Sequence, residues 1–126
     1  MKICLVVDDS DVIRRIARRI VEGLGYIVVE AETTAQAHDL CLKGLPHLIL
    51  VDWRLPGGDT HQLISKIAAI KADHVPAIIY CATEADPIDI NAAFSAGATG
   101  YLLKPFDRET LYEKIYECTA PGLAIA

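Results

Sequence analysis

Ile3-Cys4-Leu5-Val6-Val7-Asp8-Asp9 is a short apolar run that ends abruptly in two acids. Its length and β-branched content suit a strand buried on both faces, with the acids just past its carboxyl end. Two later stretches repeat the arrangement: Leu48-Ile49-Leu50-Val51 runs into Asp52, and Tyr101-Leu102-Leu103 runs into Lys104-Pro105. In a parallel sheet the residues beyond the strand ends gather along one edge, where open α/β sheets place their sites. Three carboxylates and one lysine are therefore expected to meet. Crowded carboxylates favour a divalent metal, and a carboxylate beside a metal and an ammonium is placed to accept a phosphoryl group. Each piece alone has an ordinary explanation. An acid after a strand can cap the next helix, a lone aspartate can sit solvated in a turn, and Lys-Pro is a common turn dipeptide. Their conjunction, in this order and each at a strand end, carries the reading.

Working outward, residues 2–7 form a first strand and 10–24 a first helix, with Val12, Ile13, Ile16, Ile20 and Val21 as its apolar stripe. A short β-branched strand follows at 27–31. Thr33-x-x-Gln36 has the form of a capping box opening a helix that runs to about residue 43, before Gly44 and Pro46. A third strand spans 48–52, then a loop, Trp53-Arg54-Leu55-Pro56-Gly57-Gly58, and a helix from 60 to 70 with Leu63, Ile64, Ile67 and Ile70 inward. A fourth strand spans 77–81. Asp86-Pro87 supplies a cap and a first-turn proline for a helix reaching 96, the fifth strand is 100–103, and Asp107 caps a last helix carrying Leu111, Ile115 and Cys118. Five β-α pairs in strict alternation predict a five-stranded parallel sheet, order 2-1-3-4-5, with helices on both faces.

The 126 residues, 52% of them hydrophobic, fit one domain, expected over 1–120 with a loose tail at 121–126. A net charge of −5 argues against nonspecific binding to nucleic acid or anionic membrane. Cys4, Cys41, Cys81 and Cys118 are scattered, without zinc spacing, and read as reduced thiols. Met1-Lys2-Ile3 runs straight into a strand and no apolar stretch approaches about 18 residues, so a soluble cytoplasmic protein without signal peptide is expected.

Val6-Val7-Asp8-Asp9, Asp52 with Leu55-Pro56 and Asp59 behind it, and the stretch from Gly97 through Lys104-Pro105-Phe106 together resemble the receiver domain of bacterial two-component response regulators, similar to single-domain members of the chemotaxis type. The resemblance covers about residues 2–118 and implies the flavodoxin-like receiver fold. It implies that Asp52 is the phosphoacceptor, supplied by a phosphohistidine on a sensor histidine kinase or histidine phosphotransfer protein. It further implies that Asp9 and Asp52 ligate Mg²⁺, with Asp8 acting through a water and the backbone carbonyl of Arg54 as another ligand, and that Lys104 pairs with the phosphoryl oxygens. The physics agrees: two carboxylates about 5 Å apart at an effective dielectric near 20 repel by roughly 3 kcal/mol, so the trio should hold a cation or keep a proton.

Such receivers sense the phosphoryl group with a hydroxyl near the end of the fourth strand and an aromatic on the fifth. Tyr101 fits the aromatic position. The hydroxyl position falls on Ala82 counting back from Lys104 and on Cys81 counting from Pro76, and Thr83 is the nearest hydroxyl. The switch then runs through backbone N–H groups at Ala82, through Thr83, or is weak. Thr60 stands where the family usually has glycine. Arg54 is either a solvated arginine or a charge that holds the phosphoryl group. Arg14, Arg15, Arg18 and Arg19 form a basic stripe on the first helix, either a solvated face or a docking surface for an acidic partner. No role is assigned to His38, His47, His61 or His74.

Three functions compete. The first is a single-domain regulator whose phosphorylation drives binding to a target protein, as a monomer or a phosphorylation-dependent dimer. The second is a phosphate shuttle or sink in a phosphorelay, which Ala82 favours. The third is an aspartate-nucleophile phosphatase, because Asp9-Ser10-Asp11 mimics an Asp-x-Asp signature, although residues 107–118 offer no paired acids. A flavodoxin-like cofactor binder is disfavoured, since the acids after the first strand repel phosphate.

Overall fold

The computed structural model describes residues 2–119, so the expected tail at 121–126 lies outside the described residues. The elements alternate as β1 (Ile3–Val7), α1 (Asp11–Glu22), β2 (Ile27–Ala31), α2 (Thr34–Lys43), β3 (Leu48–Asp52), α3 (Thr60–Ala68), β4 (Ala77–Ala82), α4 (Pro87–Ala96), β5 (Gly100–Leu103) and α5 (Arg108–Thr119). All pairings are parallel and the sheet order is β2-β1-β3-β4-β5, as the alternation predicts.

Side-chain alternation along the central strands explains why they read as unbroken apolar runs. Leu5, Val7, Ile49, Val51, Ile78 and Tyr80 face the side covered by α2, α3 and α4, while Cys4, Val6, Leu48, Leu50, Ile79 and Cys81 face α1 and α5. Each fully buried aliphatic side chain contributes roughly 1.5–3 kcal/mol. The two half-cores therefore fix both the register of the sheet and which way each strand-end residue points.

The first four helices start on side-chain caps, with Ser10, Thr33, Asp59 and Asp86 accepting from first-turn N–H groups. Asp107 does the same for Thr110 at the start of α5. The box at Thr33 is half formed: Gln36 accepts from the N–H of Glu32, one residue before the cap, at 2.7 Å. The third helix stops at Ala68, two residues short of the expected end, and β4 runs one residue further, to Ala82.

Helix α1 departs in part from its sequence reading: Ile20 and Val21 are buried and Ile13 half-buried, as the expected stripe requires. Val12 and Ile16 are exposed, and the face turned inward carries Arg14, Ala17, Ile20 and Val21. Two overlapping stripes satisfy helical spacing here. The small Ala17 admits close approach to the sheet, and carboxylates on β2 draw in the guanidinium of Arg14.

The histidines left without a role include two fasteners at the amino-terminal edge of the sheet. His47 and His74 stack with centroids 4.3 Å apart, His47 Nδ1 accepts from the Ile3 N–H at 3.2 Å, and His74 Nε2 lies 2.9 Å from the Leu45 carbonyl. All four cysteines are free. Burial pushes the Cys41 thiol up to about 11 and Cys81 up to about 12, so neither is a thiolate at neutral pH.

Gly97 ends α4 with φ at +131°, and a Cβ there would lie 2.8 Å from Cβ of Ala68. Gly97→Ala is therefore expected to lose about 1–3 kcal/mol in urea unfolding. Gly44→Ala, with extended backbone and open space, should stay within about 1 kcal/mol of wild type. Equal losses at the two positions would remove the steric explanation.

Candidate functional site

Asp8, Asp52 and Lys104 continue the alternation of Val6, Leu50 and Leu102, so all three side chains emerge on the α1/α5 side of the carboxyl edge. Lys104 Nζ sits 2.9 Å from Asp8 Oδ2 and 2.7 Å from Asp52 Oδ1. Asp8 and Asp52 are buried, at 4% and 5% exposure, while Asp9 is open to solvent. Each of the three acids offers a carboxylate oxygen within 4.8 Å of the others.

The backbone around these groups is fixed. The Asp8 N–H donates to the Ala31 carbonyl at 3.1 Å, and the Ser10 N–H donates to Asp8 Oδ1 at 2.9 Å. Thr60 Oγ1, at the start of α3, donates to the Asp52 carbonyl at 3.1 Å, a bond that needs a side-chain hydroxyl at this position. Trp53 and Lys104 donate their N–H groups to the carbonyls of Cys81 and Ala82 at 2.9 and 2.8 Å, which ties both flanking loops to β4.

Electrostatically the cluster is short of positive charge. Burial raises the Asp52 pKa above the usual carboxylate value, the ammonium of Lys104 pulls it back only in part, and Asp8 pushes it further up. Burial also works against the charge on Lys104, yet its hydrogen bonds to Asp52 and Asp8 prevail and raise its pKa. Three carboxylates against one ammonium leave a deficit of two charges. Ile13, Leu50 and Phe106 close the space beneath Asp8 and Asp52, so water screens the cluster from the open side, where Asp9 lies. An all-oxygen donor set with one open side and a charge of two to balance fits a hard divalent cation such as Mg²⁺.

The other residues singled out in the sequence are distributed as follows. Arg54 is exposed and its guanidinium carbon lies 4.4 Å from the centroid of the Trp53 ring, stacked rather than freely solvated. Ala82 shares the face of Tyr80 and Tyr101, whereas Cys81 pairs with Asp52 and shares its face. Thr83 is exposed just beyond β4. Tyr101 is half-buried, edge-on to Phe94 at 6.4 Å and with Lys114 Nζ 5.8 Å from its ring centroid.

The arginine stripe is not one surface. Arg14 is buried and bonded to Glu30, Glu32 and Asp11, and Arg18 is paired with Glu30 and Glu22. Arg15 and Arg19 have no carboxylate partner among the described residues. With Arg108 they border a groove of about 320 Å³ floored by Ile16 and Ile20.

One polar cluster has no counterpart in the sequence reading. The Tyr80 hydroxyl, inside the sheet, donates to the Asp89 carboxylate on α4, 3.0 Å from either oxygen. His61 Nε2 lies 3.2 Å from Asp89 Oδ1 but lacks the angle of a hydrogen bond. A tyrosine in an otherwise aliphatic strand was the available signal, because a buried phenol needs a partner.

Comparison with known proteins agrees with this geometry. The response regulator receiver domain family matches residues 4–116. The chain is 35% identical over 120 residues to a chemotaxis protein CheY homolog of Campylobacter jejuni, covering 94% of this chain and 92% of that one. Among solved structures, the chemotaxis response regulator CheY4 of Vibrio cholerae superposes with a TM-score of 0.87 at 27% identity, covering 94% of this chain and 98% of that one. The receiver domain of a sensor histidine kinase of Pseudomonas aeruginosa, solved with a magnesium ion coordinated in its active site cleft, gives 0.83 at 27% identity, covering 94% and 97%. With its sheet order, its strand-end acids and lysine, and its match over nearly the whole length, this chain belongs to the response regulator receiver domain family.

Proposed function

We propose that Asp52 accepts a phosphoryl group from a phosphohistidine of a sensor histidine kinase or phosphotransfer protein, and that the phosphorylated form signals by binding a target protein in the cytoplasm. The observation that supports this most directly is the ammonium of Lys104 held between Asp8 and Asp52 at an edge two positive charges short of balance. Asp8, Asp9, Asp52 and the backbone carbonyl of Arg54 would hold Mg²⁺, which when bound offsets the negative charge on the transferring phosphoryl group. A carboxylate oxygen of Asp52 attacks phosphorus, the bond from phosphorus to the donor's imidazole nitrogen breaks, and that nitrogen leaves with the electron pair. Lys104 is already within reach to pair with the incoming phosphoryl oxygens.

With Ala82 in place of a hydroxyl, the response to phosphorylation travels through main chain, by the Lys104 N–H on the Ala82 carbonyl and the N–H groups at Ala82 and Thr83, or through the exposed Thr83 hydroxyl just beyond β4. Tyr101 lies three residues before Lys104 and is the side chain through which that shift reaches the surface of α4 and α5. The absence of a hydroxyl at position 82 also favours a second reading, a shuttle or sink in a phosphorelay with a weak switch. The phosphatase reading loses support, because Asp11 of the Asp-x-Asp pattern is committed to Arg14 and Asp107 to Thr110. For the donor, exposed Val12 and Ile16 with Arg15, Arg19 and Arg108 form an apolar surface rimmed by unpaired cations, suited to an acidic helical partner. No helix among the described residues is long and apolar enough to cross a membrane.

Incubation with acetyl phosphate and Mg²⁺ should add a single phosphoryl group of about 80 Da to the wild type, read as intact mass, and none to Asp52→Asn. An equal adduct on both would move the acceptor elsewhere. In chelator, Asp52→Asn should unfold a few degrees above wild type, because the folded state disfavours the ionised carboxyl. The sign follows from its raised pKa: stability of the metal-free wild type falls as pH rises from the ordinary aspartate value through the folded one, and that fall should shrink in Asp52→Asn. Mg²⁺ should then raise the wild-type melting temperature more than that of the variant. Replacing Arg15, Arg19 and Arg108 together by Ala should slow phosphotransfer from a histidine donor and flatten its salt dependence, with the acetyl phosphate rate unchanged. Equal slowing with both donors would argue against docking.

A further inference from the structure

The side chain of Arg14 is 8% exposed and makes more polar contacts than any other arginine in the described residues. Its Nη1 donates to the backbone carbonyl of Asp8 at 2.6 Å, its Nε to Glu30 Oε1 at 2.9 Å, and its Nη2 to Glu32 Oε1 at 3.0 Å and to Asp11. The carboxylates on β2 and the following turn thus aim the guanidinium at one atom of the site. That atom belongs to the peptide joining Asp8 to Asp9. Because the peptide unit is planar, fixing its oxygen fixes ψ of Asp8 and φ of Asp9, the two torsions that direct the paired carboxylates. On its other side Asp8 is held by its own N–H on Ala31, the last rung to β2.

We infer that Arg14 is a positioning residue for the metal site, holding the Asp8-Asp9 peptide so that both carboxylates face Asp52, and is not part of the partner-docking surface. This rests on the reading of the acidic trio as the Mg²⁺ site. The neighbouring arginine supplies the contrast: Arg18 shares Glu30, through Oε2 at 2.6 Å, but its other partner is Glu22 and it does not reach the site.

Two effects of removing Arg14 have opposite signs, which makes the inference decidable. Deleting a positive charge near an acidic cluster strengthens cation binding by Coulomb's law. Releasing the peptide weakens it, and loss of an outer partner of a metal ligand weakens metal affinity by roughly ten-fold or more. The experiment titrates Mg²⁺ into wild type, Arg14→Gln, Arg14→Lys and Arg18→Gln, followed by Trp53 fluorescence and calorimetry. Arg14→Gln should bind Mg²⁺ roughly ten-fold more weakly. Arg14→Lys, which keeps the charge but cannot span Glu30 and the Asp8 carbonyl together, should fall between, and Arg18→Gln should match wild type. The acetyl phosphate reaction of Arg14→Gln should be slow at low Mg²⁺ and recover at saturation. Unchanged or tighter Mg²⁺ binding in Arg14→Gln overturns the inference, as does an equal loss in Arg18→Gln. Should Arg14→Gln not fold, Arg14→Lys decides by the same criteria. A wild type without any Mg²⁺ response would remove the metal reading and this inference with it, whereas a responding wild type beside an unaffected variant removes the inference alone.

Discussion

A single ammonium shared by two buried carboxylates ties the fifth strand to the first, across 96 residues of chain. Lys104 can make that bridge only if β1, β3 and β5 finish at the same level and present side chains of the same parity. Both conditions come from the apolar runs behind them, whose register is set by burial on two faces. The charge cluster is thus a product of the core: in water three acids would separate, and here the half-cores oblige them to stay together. The negative charge that the bridge leaves unbalanced suits a divalent cation.

Much of this was legible in the chain because strands buried on both faces leave an unambiguous signature, an unbroken apolar run with a definite end. The ends of β1, β3 and β5 carry Asp8, Asp52 and Lys104, and the caps at Thr33, Asp86 and Asp107 need only local sequence. The orientation of α1 was legible only in part, at Ile13, Ile20 and Val21. Val12 and Ile16 satisfy helical spacing as well as Ala17 and Val21 do, and the choice between the stripes depends on Glu30 and Glu32, residues on a different element. Arginines at 14 and 18 look like their neighbours at 15 and 19 until those carboxylates are placed. The Tyr80–Asp89 bond and the His47–His74 stack are likewise pairings between elements that no short pattern announces.

The same division separates the two sides of the sheet. The α1/α5 side holds the acids and the lysine, while Ala82, Tyr80 and Tyr101 share the other side with α4. Communication between them does not run through a side-chain hydroxyl at position 82. The bonds that join the site to β4 and α4 are the Trp53 and Lys104 amides on the Cys81 and Ala82 carbonyls, Thr60 on the Asp52 carbonyl, and Tyr80 on Asp89. Main-chain links of this kind move together with the strand that carries them, so a displacement at Lys104 is a displacement of β5 as a whole.

The alternation that aims the strand ends also dictates where this chain can change in length without turning them. Adding or deleting one residue inside Leu48–Asp52 would carry the strand-end carboxylate to the α3 side, out of reach of Lys104. Adding two would restore the facing but advance it by roughly 6–7 Å. Neither has a graded intermediate through which drift could pass. Insertions in the connections at the opposite edge, such as those before β3 and β4, leave that facing untouched, so the spacing between strand start and acid is the length that geometry constrains.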